Sequence, residues 1–156
     1  MTGAVEVEKA AILVIDDDPL LLKTITKILE REGYFVDCAQ DGYEGIRKAK
    51  AGYFHLVLCD IKMPGLDGIM TLQRIKGYQE KAKQNSGFIV ITAFDSEDTR
   101  KKAFHLGVTD YLTKPFDLKD FITKIHHNVD PLVKPTHGPL TEIEKLTHRL
   151  KGFLDA

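Results

Sequence analysis

Five short apolar runs recur along the chain, at residues 11–15, 34–39, 55–59, 88–92 and 108–113. The first, third and fourth are almost unbroken in Ile, Val and Leu, the pattern of strands buried on both faces. The stretches between them follow a helical period and have recognisable ends. Asp18 followed by Pro19 opens a first helix, with an apolar stripe of Leu21, Leu22, Ile25, Ile28 and Leu29, and Gly33 closes it. Asp41-Gly42-Tyr43-Glu44 is a capping-box-like start to a second, which stops at Gly52. A third begins near Asp67 and runs through Ile69, Leu72 and Ile75. The polar extension behind it, 79–87, has no clear period. Ser96 and Gly107 bracket a fourth helix, and Asp117 caps a fifth that runs to about Asn128. Five strands alternating with five helices are βαβ units. Right-handed crossovers then give a doubly wound α/β domain, a parallel sheet with helices on both faces.

Outside this pattern the texture changes. Residues 1–10 read as a flexible tail. Asp130-Pro131, Lys134-Pro135 and Gly138-Pro139 break structure repeatedly, so 130–139 reads as a linker. Thr141-Glu142-Ile143-Glu144 is a capping box for a short C-terminal helix, with Ile143, Leu146, Leu150 and Phe153 or Leu154 on one stripe. That stripe is too short to specify a coiled coil; it can pack on the domain or support a homodimer. Residues 131–156 are too few for a DNA-binding or catalytic output domain. The expectation is a single-domain protein, or a chain cut in its linker.

Composition narrows the functional classes. The formal charge is −1, which argues against a nucleic-acid surface. Two Cys do not make a disulfide framework. Cys38 and Cys59 read as small apolar strand residues. No run is long enough to span a membrane and the N-terminus carries no apolar signal core, so the cytoplasm is expected.

In an open parallel sheet, ligands bind outside the carboxyl ends of the strands. Asp16, Asp17 and Asp18 follow the first run and Asp60 the third. Thr92 ends the fourth, and Lys114 follows the fifth. Carboxylates gathered there repel one another and call for positive charge. Mg2+ takes oxygen ligands and accepts one or two carboxylates, and Lys114 supplies a second cation. That set suits phosphoryl transfer, with an Asp as covalent acceptor.

The segments Ile12-Leu13-Val14-Ile15-Asp16-Asp17-Asp18-Pro19, Leu56-Val57-Leu58-Cys59-Asp60-Ile61-Lys62-Met63-Pro64-Gly65-Leu66-Asp67-Gly68, Ile89-Val90-Ile91-Thr92-Ala93 and Tyr111-Leu112-Thr113-Lys114-Pro115-Phe116 together resemble the receiver domain of two-component response regulators. The resemblance places a receiver at 11–129 and implies the flavodoxin-like strand order 2-1-3-4-5. It implies that Asp60 is the phosphoacceptor. Asp16, Asp17, Asp60 and the backbone carbonyl of Lys62 would bind Mg2+, with Asp16 acting through water. Thr92 would shift toward the phosphoryl group, Lys114 would pair with a phosphoryl oxygen, and Tyr111 would turn inward as Thr92 moves. A cis peptide before Pro115 is also implied. The partners implied are a histidine kinase or histidine phosphotransfer protein as donor and a downstream effector protein, with no separate substrate to turn over.

Lys62 and Phe94 stand where this family varies, and the expectation is that the Lys62 cation and the bulk of Phe94 hinder attacking water. Two other functions compete. An aspartyl-phosphate phosphohydrolase would use Asp16 as nucleophile with an acid at Asp18. A phosphorelay intermediate would pass its phosphoryl group on. A nucleotide or flavin binder lacks its glycine-rich motifs. His126-His127 reads as a cationic helix end. Leu146-Thr147-His148-Arg149-Leu150-Lys151-Gly152 is similar to the phosphorylated segment of phosphotransfer domains, but the helical bundle such a domain needs does not follow it.

Overall fold

The computed structural model describes residues 9–129. Most of the expected N-terminal tail, the linker, the C-terminal helix and His148 lie outside the described residues. Ten elements alternate: β1 (Ala11–Ile15), α1 (Pro19–Arg31), β2 (Phe35–Ala39), α2 (Gly42–Ala51), β3 (Leu56–Cys59), α3 (Gly68–Ala82), β4 (Gly87–Thr92), α4 (Glu97–Leu106), β5 (Asp110–Thr113) and α5 (Leu118–Asn128). The strands form one parallel sheet in the order β2-β1-β3-β4-β5. One boundary moves: Ala10 is fully buried and its carbonyl accepts from Phe35 N at 2.9 Å, so it belongs to the domain and not to the tail.

Side-chain alternation along the inner strands splits the core in two. Ile12 and Val14 of β1, with Leu56, Leu58, Ile89 and Ile91, face Leu22, Ile25 and Leu29 of α1 and Phe121 and Ile125 of α5. Leu13 and Ile15, with Val57, Cys59 and Val90, face Leu72 and Ile75 of α3 and Ala49 and Ala103 of α2 and α4. The edge strands β2 and β5 are only partly buried.

Asp18, Asp41, Asp67, Ser96 and Asp117 each accept a backbone N–H as N-cap. At α2, the Glu44 carboxylate reaches Gln40 N at 3.3 Å, one residue outside the expected box. Three strands start later than their apolar runs, β3 by one residue, and β2 and β5 for a shared reason. Tyr34 N donates to Leu29 O and Val108 N to Ala103 O, both at 3.1 Å, so both residues serve the preceding helix end. Gly33 and Gly107 supply the left-handed turns there, at φ 93° and 105°. The same closure ends α3, where Lys83 adopts φ 55° and Gln84 N donates to Gln79 O at 2.8 Å.

Candidate functional site

The carboxyl edge of the sheet collects the expected residues because β1 and β3 are neighbours. Asp60 N donates to Ile15 O at 2.9 Å and Asp16 N to Ala39 O at 3.0 Å, which continues the ladder by one residue on either side of β1. Asp16 and Asp60 therefore leave adjacent strands side by side. Both are buried, at 4% and 7% exposure, whereas Asp17 is exposed. One ligand oxygen each from Asp16, Asp17 and Asp60 fall within 4.8 Å of one another.

Lys114 reaches this cluster from the end of β5. Its Nζ lies 2.7 Å from Asp16 Oδ2 and 3.4 Å from Asp60 Oδ2. The Lys114–Pro115 peptide is cis, as the resemblance implies. Lys114 N donates to Thr92 O at 2.8 Å, tying the lysine to the end of β4. Thr92 is fully buried, and its Oγ1 accepts from Phe94 N at 3.1 Å.

The charges do not balance, since one ammonium faces three carboxylates. Burial raises the Asp60 carboxyl above its ordinary value although Lys114 opposes it. Burial raises Asp16 too, against the Lys114 hydrogen bond. Burial disfavours the Lys114 cation, but Asp16 and Asp60 outweigh that and hold its pKa above the usual lysine value. Asp60 Oδ1 is buried and has no hydrogen-bond partner. A buried carboxylate oxygen without a partner is costly, and here it belongs to an all-oxygen, net-negative cluster. Such a donor set fits a hard divalent cation, and Mg2+ with retained waters fits best.

The remaining residues lie around this centre. Lys62 is exposed in the loop after Asp60, and its Nζ sits 3.8 Å from the centroid of the Phe94 ring. The two residues paired in the sequence reading thus form one cation–π contact between the β3–α3 and β4–α4 loops. Tyr111 is half-buried on β5, with the Arg100 guanidinium 4.8 Å from its ring centre and Phe104 6.3 Å away. Its hydroxyl is buried without a hydrogen-bond partner. Asp18 is committed elsewhere: its Oδ1 accepts from Leu20 N and Leu21 N as the α1 cap. Those bonds tie one oxygen of the acid that the phosphohydrolase reading needs to the helix cap. Cys38 and Cys59 are free and lie on β2 and β3, on opposite sides of β1.

Gly68 was not singled out by sequence reasoning. A Cβ built there would lie 2.0 Å from Asp60 O, so the start of α3 is pressed against the peptide after the candidate acceptor. The available signal was a glycine directly behind the Asp67 cap, where a helix former is usual. Met63 and Leu66 are buried and anchor the same loop.

A family model described as the response regulator receiver domain matches residues 12–126. Chemotaxis protein CheY of Treponema pallidum (strain Nichols) is 40% identical over 117 residues, covering 73% of this chain and 78% of that protein. Transcriptional regulatory protein ResD of Bacillus subtilis (strain 168) is 32% identical over 120 residues, covering 77% of this chain; the match takes in 48% of ResD, so this chain spans about half the length of such relatives. Among solved structures, the CheX–CheY–BeF3–Mg2+ complex from Borrelia burgdorferi superposes with a TM-score of 0.70 at 30% identity, covering 76% of this chain and 87% of the matched one.

Proposed function

Because this chain belongs to the response regulator receiver family, we propose that it is a phosphorylation switch whose acceptor is Asp60. The observation that carries the reading is the buried, unpartnered Asp60 Oδ1 inside a cluster of three carboxylates and Lys114. An Asp60 oxygen forms the new bond to phosphorus as the bond from phosphorus to the donor nitrogen breaks. The donor is a phosphohistidine on a histidine kinase or phosphotransfer protein. Asp17, Asp60 and the Lys62 carbonyl, with Asp16 through water, would hold Mg2+, which when bound would supply positive charge against the transferring group. The Borrelia burgdorferi complex, which holds Mg2+ and BeF3, supports that cofactor.

Lys114 Nζ, already between Asp16 and Asp60, exchanges part of its carboxylate pairing for a phosphoryl oxygen. The Thr92 hydroxyl follows the same charge. Tyr111, one strand over, then finds room to turn inward and carries the change to the face formed by α4, β5 and α5, where an effector protein docks. Return to the resting state is attack of water on phosphorus, with the Asp60 carboxylate leaving. The chain processes only its own aspartyl phosphate and turns over no separate substrate. No helix among the described residues is long and apolar enough to cross a membrane.

The test is intact mass after incubation with acetyl phosphate and Mg2+, beside Asp60→Ala. The wild type should gain one phosphoryl group and the variant none. A wild type that stays unmodified by both acetyl phosphate and a histidine-kinase donor, while folded, would overturn the reading.

A further inference from the structure

The exposed face between α2 and α3 carries a groove of about 440 Å³, separate from the carboxylate cluster. From α2 it is lined by Tyr43, Ile46 and Lys50, which share one helical stripe. From α3 it is lined by Arg74, Gly77, Tyr78 and Lys81, again one stripe. Three cations and two tyrosines line it, with no carboxylate.

Three cations of α4 and α5 are paired within their own helices: Glu97 pairs with Lys101, Asp98 with Lys102 and Asp120 with Lys124, each four residues apart. Lys50, Arg74 and Lys81 have no carboxylate within ion-pair distance among the described residues. Together α2 and α3 carry Arg47, Lys48, Lys50, Arg74, Lys76 and Lys81 against Glu44 and Glu80, in a chain whose formal charge is −1.

Gly77 is the second observation. It stands inside α3, and a Cβ built on it meets nothing within 4 Å. Glycine inside a helix is unfavourable relative to alanine. Neither packing nor a positive φ requires one here. The bare position leaves the groove floor open to an approaching group. Tyr43, 61% exposed, and Ile46 flank that floor with apolar surface. Lys50 Nζ lies 5.8 Å from the centre of the Tyr78 ring, so cation and ring already share one wall.

We propose that the α2–α3 groove is a docking site for an acidic segment of a protein partner. An apolar or aromatic anchor of that segment rests over Gly77 and Ile46, and its carboxylates pair with Lys50, Arg74 and Lys81. Arg and Tyr are the residues that concentrate binding energy at protein interfaces. The spacing favours a peptide over a phosphate-bearing small molecule. Arg74 and Lys81 are seven residues apart, about 10 Å along the helix, so they line a track and do not converge on one point. A concave groove likewise does not suit a flat anionic membrane.

The full chain and an R74E/K81E variant are used in parallel to select from a library of random short peptides. Peptides captured by the wild type and lost on the variant should be rich in Asp and Glu with one large apolar residue. In isotope-labelled wild type they should shift the resonances of Tyr43, Gly77 and Tyr78. Their affinity should fall more than tenfold in R74E/K81E and weaken with salt. Gly77→Ala distinguishes a docking surface from plain structure. It should raise the thermal midpoint while weakening these peptides at least fivefold. No acidic class dependent on Arg74 and Lys81, or a Gly77→Ala chain that binds as well as wild type, overturns the proposal. So does a groove whose resonances move with ATP, duplex DNA or phosphatidylglycerol vesicles and not with the peptides.

Discussion

Gly68→Ala probes how tightly the loop after Asp60 is seated. The added methyl carbon would stand 2.0 Å from Asp60 O and 2.7 Å from Ile61 Cα. Non-bonded atoms settle at about 3.5 Å, so α3 and the end of β3 must part by about 1.5 Å. Both obstructing atoms are backbone, and no side-chain rotamer relieves the clash. Gly68 N also donates to Ile61 O at 2.7 Å, a bond that the separation stretches. Overpacking of this kind costs about 1–3 kcal/mol. At about 2.1 cal/mol/K per residue over about 120 residues, a 2 kcal/mol loss lowers Tm by roughly 8 °C. Urea unfolding followed by circular dichroism gives the stability change, and a Mg2+ titration gives the effect on the site. Because the displaced peptide begins at Asp60, both should worsen together. A variant with the wild-type urea midpoint and the wild-type Mg2+ midpoint would refute the close approach of α3 as a constraint on the site.

Two further predictions follow from the site's charge and its rim. Asp16 and Asp60 have folded-state values raised from 3.8, so the folded chain holds their protons more tightly than the unfolded chain does. That contribution is present at low pH and is lost as pH rises through the folded values, whereas the raised Lys114 changes nothing until far more alkaline pH. The metal-free thermal midpoint should therefore fall over the acidic range more steeply in wild type than in Asp60→Asn. Mg2+ at ten times its Kd should restore about 1.4 kcal/mol, roughly 6 °C, which EDTA then removes; a midpoint indifferent to Mg2+ would contradict the cluster's role. Lys62→Ala should shorten the aspartyl-phosphate half-life. If the stack on Phe94 is worth about 0.5–1 kcal/mol, the change is roughly two- to fivefold, and an unchanged half-life measured by loss of the phosphorylated mass would show that the contact does not hinder water.

Much of this was legible in the sequence because it is local chemistry. The caps at Asp18, Asp41, Asp67, Ser96 and Asp117 act within three residues of themselves, so their positions could be read directly. Asp16, Asp60, Thr92 and Lys114 were legible for a different reason: each ends or follows a strand, and a parallel sheet brings such positions to one edge. The starts of β2 and β5 were misread because Tyr34 and Val108 are apolar yet bond backward to a helix end. The length of α3 was hidden by Lys83, which occupies a left-handed turn normally marked by glycine. Contacts between remote segments left no local trace. The Lys62–Phe94 stack, the pressure of Gly68 on Asp60 and the approach of His126 Nε2 to Glu32 Oε2 at 3.3 Å all depend on helices and loops being in place.

The pairing of Lys114 with Asp16 bridges 98 positions of sequence. During synthesis the N-terminal part of a chain emerges first. A nascent chain that had folded β1 through β4 would already display Asp16, Asp17 and Asp60 on one edge, but with no ammonium among them. The cation that pairs with Asp60 arrives with β5, the last strand of this sheet to leave the ribosome. The site is thus assembled in an order that places the acidic half early and its counter-charge late, so an ammonium beside Asp60 marks a sheet whose translation has passed β5.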